Sequence, residues 1–582
     1  MKKVLFSLFF ILGAFFVFCT VKVSATDTGV VTLTDGASIR TGSPNGLKFE
    51  ATVSGEFEGG SISYGFVLTR GTFTKDEVVA LAAAKKVEVD CGEPNEANKY
   101  YVTITNIPAE GYTGPVTALA YVKVDGVNRY SDISVTRNLL DTARAEYNRN
   151  DEPSELITTI MGSNKIKVTH SNGTFNYYST LAKARDAGFL VGDTLDIIRG
   201  SYNTTLTISV NNFTITGAQK DQAINNDGTR TNGKDETIIS TTITVNDDVK
   251  NFSINGVKLT GTNIVNLIGS HNGVSIQYCN LQFSGYYGIK DSAAAEKTLE
   301  DANQDNIVIS NNYFCGTKDD YTRDIYLQGP LSSLEVTNNY FASKATTLND
   351  DGYCVKCNRL ASTADINVKD NIFRQYNASY LIDFGYTANE GGSINIENNE
   401  MSSSSSYLVG SGIRVANLKD TSSVSIIHNT NFMVSRYYNA ILLSCGTAAN
   451  DTTANNPTVD IRFNQFYGDP VAEKPESREL VETNYIRIGL GIPEEPNANL
   501  VIGYNYFSTG TSRYAYTANN SNKASKNTNQ RSLITNSNTV EDSDDRYLAY
   551  KVSLLPWFGW PNYTGRISIL CSRNSNTIWP KE

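Results

Sequence analysis

The sequence predicts an all-β protein, in which a small β-sandwich precedes a parallel β-helix of about ten coils. Two observations predict this fold. Short alternating apolar runs, separated by turns of Gly, Pro and Asn, fill the amino-terminal quarter of the mature chain. A motif of apolar residues, an asparagine and an aromatic residue then recurs at intervals of about 27 to 41 residues. Repeats of variable length indicate a solenoid whose loops differ from coil to coil.

The amino terminus has the layout of a secretory signal peptide. Lys2-Lys3 precedes an apolar run over residues 4–18, and Val23-Ser24-Ala25 offers small residues for cleavage. The run is shorter than the roughly 20 residues that a membrane-spanning helix needs. We therefore expect residues 1–25 to be a signal peptide and the protein to be secreted, or loosely associated with the cell wall.

Composition restricts the classes of partner. The chain of 582 residues has a formal net charge of −10 and contains 3 histidines. An acidic protein is poorly suited to nucleic acids or anionic membranes, and histidine-rich metal sites have almost no residues to use. The cysteines left after Cys19 are odd in number and widely spread, and Cys354 and Cys357 would point to opposite faces of a strand. We expect buried thiols, no nucleic-acid partner and no membrane span.

Residues 26–140 predict an immunoglobulin-like β-sandwich, because several short strands alternate with turns over about 110 residues. The clearest strands are Leu47–Val53, Ser61–Leu68, Tyr101–Ile107 and Ala118–Val124, with a helical patch near Lys75–Lys86. We expect this module to act as a spacer or as a binding module.

Residues 141–177 predict a linker. The runs Leu139–Tyr147 and Ser154–Met161 favour short helices, and Asn172-Gly173 between two alternating runs favours a β-hairpin. Residues 179–188 then have the pattern of a short amphipathic helix.

From 178 to 510 the repeats place an asparagine at one fixed station. The six close copies contain Asn312, Asn339, Asn371, Asn399, Asn464 and Asn505. Asparagine suits a left-handed turn, and its amide can hydrogen-bond to the next coil and so form a ladder. The aromatic residue two positions later is predicted to stack inside. A propeller would need four regularly spaced strands per repeat, whereas each repeat here contains two or three.

Several motifs at the start of these repeats occur in a known order: Gly192-Asp-Thr-Leu195, Gly200-Ser-Tyr202 and Phe213–Gly217 follow the amphipathic helix. This order resembles the entry to right-handed parallel β-helices of the pectate-lyase-like superfamily. Ile307–Phe314 with Ile325–Gly329 resembles a pectate lyase stretch that faces the substrate. The resemblance implies a right-handed β-helix that is capped by the amphipathic helix and that binds or cleaves polysaccharides.

The chain departs from this superfamily in its catalytic motifs. The lyase motifs "WIDH" and "RxPxxR" and the hydrolase motifs "NTD", "GHG" and "RIK" do not occur. The resemblance therefore supports the fold more than an activity, and it makes a hydrolase the weaker expectation. Separately, Ala37–Thr41 followed by Gly46–Ala51 resembles the opening of accessory modules in secreted proteins of low-GC Gram-positive bacteria.

One outward column carries residues suited to chemistry. After each aromatic turn comes a strand whose flanking apolar residues are predicted to point inward, so that alternation sends the middle residue outward. The resulting site column consists of Lys290, Tyr326, Lys356, Asp383, Arg414, Leu442 and Arg487. Equivalent residues in stacked coils lie about 4.8 Å apart, close to the scale on which a sugar chain repeats.

The site column has the residue types that a lyase of uronic-acid polysaccharides needs. For β-elimination, an enzyme must neutralise the charge of a sugar carboxylate, remove the proton from the carbon next to it and protonate the oxygen of the leaving sugar. The candidate catalytic residues are Lys356, Arg414, Asp383 and Tyr326, and the candidate substrate-binding residues are Lys290 and Arg487. Lys356 or Arg414 would be the base, and Asp383 would orient both cations. The alternative is that these charges serve solubility and salt bridges between coils.

Acidic loop residues precede the same strands. Asp319, Asp320, Asp350 and Asp351, together with Asp324, fall on adjacent coils and suggest a Ca²⁺ site, with ordinary solvated loops as the alternative. Residues 511–582 are polar and net basic, and they predict a tail with a carboxy-terminal cap.

Two function classes follow from these observations. The first is a secreted carbohydrate-active enzyme, a polysaccharide lyase that acts on an acidic, uronate-containing polysaccharide. The second is a non-catalytic surface rod or adhesin that binds glycans or host material, because the family motifs are missing and Leu442 interrupts the site column. Loops that wall the site column would favour an enzyme, and the insertions Asp291–Asn306 and Thr447–Pro457 are placed to form them. The expected partner in both cases is a polysaccharide or cell-surface glycan.

Overall fold

The computed structural model shows a mostly β protein: of the residues that it describes, 50% lie in strands and 9% in helices. It describes residues 28–318, 321–343, 352–374, 380–401, 411–430, 432–434, 440–445 and 457–468, and the backbone of six short strands between 484 and 568. The chain divides into two compact units. The first comprises the described residues up to Tyr147 together with Glu152–Gly162, and the second comprises Asn148–Asp151 and the described residues from Ser163 onward.

The first unit contains two antiparallel sheets. One sheet consists of Val30–Leu33, Ser38–Arg40, Gly46–Ser54 and Lys99–Thr105. The other consists of Ile62–Arg70, Val87–Asp90, Val116–Val124, Val127–Tyr130 and Val135–Arg137. All four predicted strands are present, and the predicted helical patch is the helix Lys75–Ala80 followed by a 3₁₀ turn, Ala83–Lys85.

One apolar core joins the two sheets of this unit. Phe49 from one sheet and Phe66 from the other are fully buried in it. The predicted helices are present as Leu139–Arg149 and Glu155–Met161, and Leu139 and Ile157 pack into the same core. The second of these helices is capped by Ser154, whose side chain accepts a hydrogen bond from the backbone amide of Ile157.

The second unit opens with the predicted hairpin and helix. Strands Ile166–Thr169 and Phe175–Tyr178 pair antiparallel around Asn172-Gly173, and the first of them also pairs with Thr194–Ile197. The helix Leu181–Asp186 follows, capped by the Thr180 hydroxyl. Its residues Leu181 and Ala184 are buried in the core of this unit.

Large parallel sheets make up the rest of the second unit. Each repeat contributes three strands, and each strand pairs in parallel with the equivalent strand of the next repeat. The three resulting ladders are named ladder A, which precedes the repeated asparagine, ladder B, which follows it, and the site ladder, which carries the site column. This parallel arrangement is compatible with a β-helix.

Two long strands take part in two ladders each. Arg323–Thr337 and Tyr353–Lys369 belong to the site ladder in their first part and to ladder A in their second. The other strands of ladder A are Thr194–Ile197, Thr214–Thr216, Lys250–Asn255, His271–Gln277, Gln304–Ser310, Gly392–Glu397, Ser422–Ile427, Thr458–Arg462, Asn499–Gly503 and Ile567–Ser568. Those of the site ladder are Leu206–Ile208, Ile243–Val245, Val265–Ile268, Tyr287–Ser292, Tyr380–Asn389, Ser411–Val415, Ile441–Ser444, Asn484–Gly489 and Tyr514–Ala518, the last of which pairs antiparallel with Arg531–Ser532.

Ladder B has shorter strands. They are Gly200–Tyr202, Thr237–Ile239, Lys258–Gly261, Asn280–Phe283, Tyr313–Gly316, Tyr340–Phe341, Ile372–Phe373 and Glu400–Met401, followed by the separate set Phe432–Val434, Gln465–Gly468 and Tyr506–Phe507. The aromatic residues of this ladder stack as predicted. The ring centre of Phe341 lies 4.8 Å from that of Phe314 on one side and 4.8 Å from that of Phe373 on the other. All three rings are fully buried.

The predicted asparagine ladder is confirmed over six repeats. The side-chain amide of each of the first five asparagines donates to the side-chain oxygen of the next at 2.9 to 3.0 Å. Its members are Asn312, Asn339, Asn371, Asn399, Asn429 and Asn464, all between 0% and 2% exposed. Each amide also donates to a backbone carbonyl of the preceding repeat. The ladder therefore satisfies backbone groups that the tight turn would otherwise leave unpaired.

The prediction that these asparagines adopt the left-handed conformation was wrong. Positive φ angles belong to the residue before each of them, for example 57° at Asn311, 55° at Asn338 and 58° at Asp370. The left-handed residue that reverses the chain direction comes one position earlier. The side chain of the following asparagine can then point into the interior and form hydrogen bonds along the ladder. His428, with φ of 55°, occupies such a turn before Asn429.

No disulfide joins the described cysteines. Cys279, Cys354, Cys357 and Cys445 are buried thiols, as the sequence predicts. None of the helices among the described residues combines the length and apolar character that crossing a membrane requires.

Candidate functional site

The register of the site column is the one that the sequence predicts. Lys290, Tyr326, Lys356, Asp383, Arg414, Leu442 and Arg487 are successive partners in the parallel pairing of the site ladder. The apolar neighbours on either side of the central members point inward. Ile325, Leu327, Val355, Cys357, Ile382, Phe384, Ile413 and Val415 are all fully buried. Strict alternation along each strand therefore places the site column on the opposite side from the apolar core.

The centre of the site column is not open to solvent, contrary to the expectation for an outward face. Tyr326 is 9% exposed, Lys356 5% and Asp383 0%. Alternation determines which side of the sheet a residue occupies, but side chains from neighbouring positions decide whether it is covered. Here tyrosines and ion pairs provide that cover.

Asp383 lies at the centre of the site and contacts the cations on both sides of it. Its carboxylate accepts two hydrogen bonds from Arg414, from Nε and from Nη2, each at 2.6 Å. Lys356 Nζ lies 3.2 Å from Oδ2 of the same carboxylate. Asp383 thus positions both cations, and the bidentate geometry fixes the plane of the guanidinium.

Tyrosine rings cover the two cations. Lys356 Nζ lies 3.9 Å from the ring centre of Tyr353 and 4.7 Å from that of Tyr386. The guanidinium of Arg414 lies between Tyr380, at 4.0 Å, and Tyr386, at 4.6 Å. Ring faces attract cations at such distances, so the tyrosines partly replace the lost water. Tyr386 remains 41% exposed and borders the site on its solvent side.

Arg323 is a further member of the site that the sequence interpretation missed. Its guanidinium lies 4.6 Å from the ring centre of Tyr326 and 5.5 Å from that of Tyr287, and it donates to the Tyr287 hydroxyl at 2.9 Å. Its position is paired with Tyr287 on one side and Tyr353 on the other. A signal was present in the sequence: Tyr287, Arg323, Tyr353 and Tyr380 each precede a site-column residue by three positions.

The first five residues of the site column and these covering residues form one group, here called the site cluster. Its members are Tyr287, Lys290, Arg323, Tyr326, Tyr353, Lys356, Tyr380, Asp383, Tyr386 and Arg414. Lys290 belongs to it because its Nζ lies 5.1 Å from the Tyr287 ring. With four cations and one carboxylate, the site cluster is net positive in a protein whose formal net charge is −10. Leu442 adds no charge, and for Arg487 the structure describes the backbone alone.

Burial changes the acid–base properties of two members. Burial lowers the pKa of Lys356, an effect that the Asp383 charge opposes and the Arg414 charge reinforces. Burial also raises the pKa of Tyr326, whose hydroxyl accepts a hydrogen bond from Asn358 at 3.3 Å. The amide oxygen of Asn358 is buried and has no hydrogen-bond partner among the described residues. The lysine is thereby made easier to deprotonate, and the tyrosine keeps its proton.

A folded insertion borders one side of the site cluster. Within Asp291–Asn306, Glu300 pairs with Arg359 at 2.7 Å, three positions after Lys356 on the same strand. Lys297 of this insertion pairs with Asp247 at 2.8 Å. Most of the second predicted wall, Thr447–Pro457, lies outside the described residues.

Of the acidic residues predicted to form a calcium site, the structure describes Asp324 alone. Asp319, Asp320, Asp350 and Asp351 lie outside the described residues. Asp324, which we grouped with them as a loop residue, lies instead in the strand Arg323–Thr337 and is fully buried. Its carboxylate accepts a hydrogen bond from Ser343. Among the described residues no group of three or more His, Cys, Asp or Glu is suited to hold a metal ion.

We expect the buried carboxyl of Asp324 to make the stability of the second unit depend on pH. Burial raises its pKa from 3.8 to about 8, against the opposing hydrogen bonds from Ser343 and Cys354. The unfolded chain releases this proton near pH 3.8 and the folded chain retains it, so stability falls as pH rises from about 4 to about 8, by up to about 1.4 kcal/mol per pH unit. Asp324→Asn should flatten the dependence of Tm on pH in this window. The exposed Asp365→Asn is the matched control, and parallel curves for wild type and Asp324→Asn would contradict the raised pKa.

Comparison of the chain with models of protein families, with curated protein sequences and with solved structures gave no match. Function is therefore inferred from the chemistry and geometry of the site cluster.

Proposed function

We propose that the repeats of the second unit form a right-handed parallel β-helix of the pectate-lyase-like type, and that the first unit is an immunoglobulin-like module. The parallel pairing of equivalent strands in successive repeats supports the first assignment. Two antiparallel sheets around a shared core support the second. The predicted signal peptide makes the protein a secreted or loosely wall-associated one.

We further propose that the site cluster binds an acidic polysaccharide and cleaves it by β-elimination. The observation that carries this proposal is the row of cations Lys290, Arg323, Lys356 and Arg414, which lie among tyrosines on four repeats of one ladder, with Asp383 on the repeat between the last two. Equivalent positions of successive repeats are about 4.8 Å apart, which suits a ligand that also repeats along its length. Net positive charge selects carboxylate-bearing sugars, and tyrosine rings and hydroxyls suit the faces and edges of sugar rings.

In the proposed reaction Lys356 is the base. Its lowered pKa increases the neutral fraction, which takes the proton from the carbon next to the sugar carboxylate. The carbon–oxygen bond to the leaving sugar then breaks, a carbon–carbon double bond forms, and the Tyr326 hydroxyl gives its proton to the departing oxygen. Arg323 and Lys290 neutralise the sugar carboxylate, because Arg414 already forms a bidentate pair with Asp383. A Ca²⁺ ion would add to this neutralisation if the loop acids bind one.

A second candidate, non-catalytic glycan binding, is favoured by one observation. The single carboxylate of Asp383 contacts both Lys356 and Arg414, and these three residues form a closed ion-pair network between repeats. Such a network also serves structure alone. In this case the exposed Tyr386 and the remaining cations would bind the glycan without cleaving it.

The test is to incubate the mature protein with a panel of polyuronates, with and without Ca²⁺. Ultraviolet absorbance of the unsaturated sugar end reports β-elimination directly. We expect the signal to rise with at least one polyuronate, and we expect Lys356→Ala to lower the rate by a factor of about 100 to 10,000, as removal of a general base does.

Lys369→Ala is the matched control for this experiment. Lys369 lies on the same strand as Lys356 and pairs with Glu397 at 3.3 Å in the next repeat, but on ladder A and more exposed. It should retain full activity. A flat trace with every polyuronate, together with measurable binding of one of them, would replace the lyase by the non-catalytic candidate.

A further inference from the structure

A groove lies along the turn between ladder A and ladder B, where the asparagine ladder runs, and away from the site column. Its volume is about 220 Å³. Three successive repeats line one side of it through Asn311, Asn338 and Asp370, and Tyr313 and Tyr340 continue this side onto ladder B. The rings of the two tyrosines stack at 5.8 Å. The groove thus presents one polar side chain and one tyrosine or isoleucine side chain per repeat.

The polar side chains along this groove have hydrogen-bonding capacity left over. The side chains of Asn311, Asn338 and Asp370 make no hydrogen bond to any described residue, although the backbone amide of each donates to the next repeat. Asn338 and Asp370 are also exposed. The buried asparagines one position later use all their amide hydrogens within the ladder. The outer row is therefore the part of the turn that is free to bind a ligand.

A long but well-anchored loop forms the opposite side. Residues 217–236 connect two short strands, and Ala223, Ile224 and Asn226 from this segment line the groove. The loop is held by Arg230, whose buried guanidinium donates to the carbonyl oxygens of Gln222 and Tyr278 and pairs with Glu236 at 2.9 Å. A buried ion pair in a surface loop fixes its shape, and loops of this length are uncommon unless they have a function.

We infer that this groove is a second carbohydrate-binding site, which takes a neutral oligosaccharide of about two or three sugar residues across three repeats, or about 10 Å. Amide groups donate and accept, a carboxylate accepts, and tyrosine and isoleucine side chains contact the apolar faces of sugar rings. No lysine or arginine is among the described residues that line the groove, and Asp370 adds a negative charge. An anionic sugar is therefore disfavoured here, in contrast to the site cluster.

The experiment is isothermal titration of the full-length mature protein with neutral hexose and pentose oligosaccharides, with a polyuronate oligomer and an extended uncharged peptide as alternative probes. We expect at least one neutral oligosaccharide to bind. The double variant Asn338→Gly/Asp370→Gly should weaken that binding about tenfold or more, because two hydrogen-bonding side chains are lost. Glycine tolerates the positive φ angles at both positions, so the backbone should stay unstrained.

Asn398→Gly is the matched control. Asn398 occupies the same station one repeat later, with φ of 55°, but does not line the groove, so its loss should leave the affinity unchanged. Lys356→Ala should also leave it unchanged, which separates this site from the proposed lyase site. Absence of binding across the neutral panel, equal affinity of the double variant and the wild type, or binding of the peptide alone would each overturn the inference.

Discussion

Replacing Asp383 by alanine is expected to destabilise the second unit by about 3–5 kcal/mol, because it leaves two nearly buried cations without a counter-charge. Asp383 is fully buried, and the side chains of Lys356 and Arg414 are 7% and 13% exposed. The effect should be largest in the repeats that carry these residues. Native-state hydrogen exchange can localise it, for example at the amide of Ala416, which donates to Phe384. Amides of the strand Val116–Val124 in the first unit are an internal reference.

Two further variants separate charge pairing from packing in this experiment. Asp460→Ala removes a carboxylate from a partly exposed pair with Arg462 and should cost no more than about 1 kcal/mol. The triple variant Asp383→Ala/Lys356→Met/Arg414→Met removes the stranded charges and should recover much of the lost stability. If Asp383→Ala costs no more than Asp460→Ala, the ion-pair network does not hold the repeats together.

Replacing Asn371 by alanine is expected to cost about 3 kcal/mol or more, because it breaks the asparagine ladder in its middle. The amide of Asn371 donates to Val336 O at 2.8 Å, to Lys369 O at 2.9 Å and to Asn399 Oδ1 at 3.0 Å. Its oxygen accepts from the backbone and the side chain of Asn339. All of these groups are shielded from water, so removal of the side chain leaves several of them unsatisfied.

Denaturant unfolding and hydrogen exchange of the flanking repeats measure this loss. Asn371→Asp keeps the volume of the side chain but replaces the donors by acceptors, and it should be at least as destabilising as alanine. Asn395→Ala is the control, since the side-chain amide of Asn395 donates a single hydrogen bond, to Asn367 Oδ1 at 3.2 Å, and Asn395 is only partly buried. A change within about 1 kcal/mol for Asn371→Ala would show that the ladder contributes little.

The parallel pairing and the register of the site column could be predicted residue by residue. Pairs of apolar residues such as Ile325 and Leu327 mark the inward positions. Because side chains alternate with a period of two, the residue between them must lie on the opposite face of the sheet. The asparagine ladder was predictable for a related reason. A polar residue repeated at one station beside an aromatic one has to satisfy its hydrogen bonds with its own copies in neighbouring repeats.

Other features required the arrangement of the chain in space. Asp324 was predicted to be an acidic loop residue, yet it lies in a strand and is buried against Ser343 and Cys354, which come from later segments of the chain. The left-handed residue of each turn precedes the ladder asparagine, and two adjacent polar residues such as Asn338 and Asn339 look alike in the sequence. The groove proposed as the second carbohydrate-binding site forms because residues 217–236 lie beside turns that are about 100 residues later in the chain.

The sequence by itself determined the all-β class, the repeats, the register of the site column and the residue types that it carries. Apolar alternation and a recurring motif are local properties, and local properties set the side of the sheet on which each side chain lies. Only the tertiary structure decided that tyrosines cover the column, that Arg323 joins it and that Asp383 pairs with both of its neighbours. The shielding of the site column from solvent, the pairing of its charges and the pKa values of its residues depend on distances between side chains from different repeats. No periodicity along one strand encodes those distances.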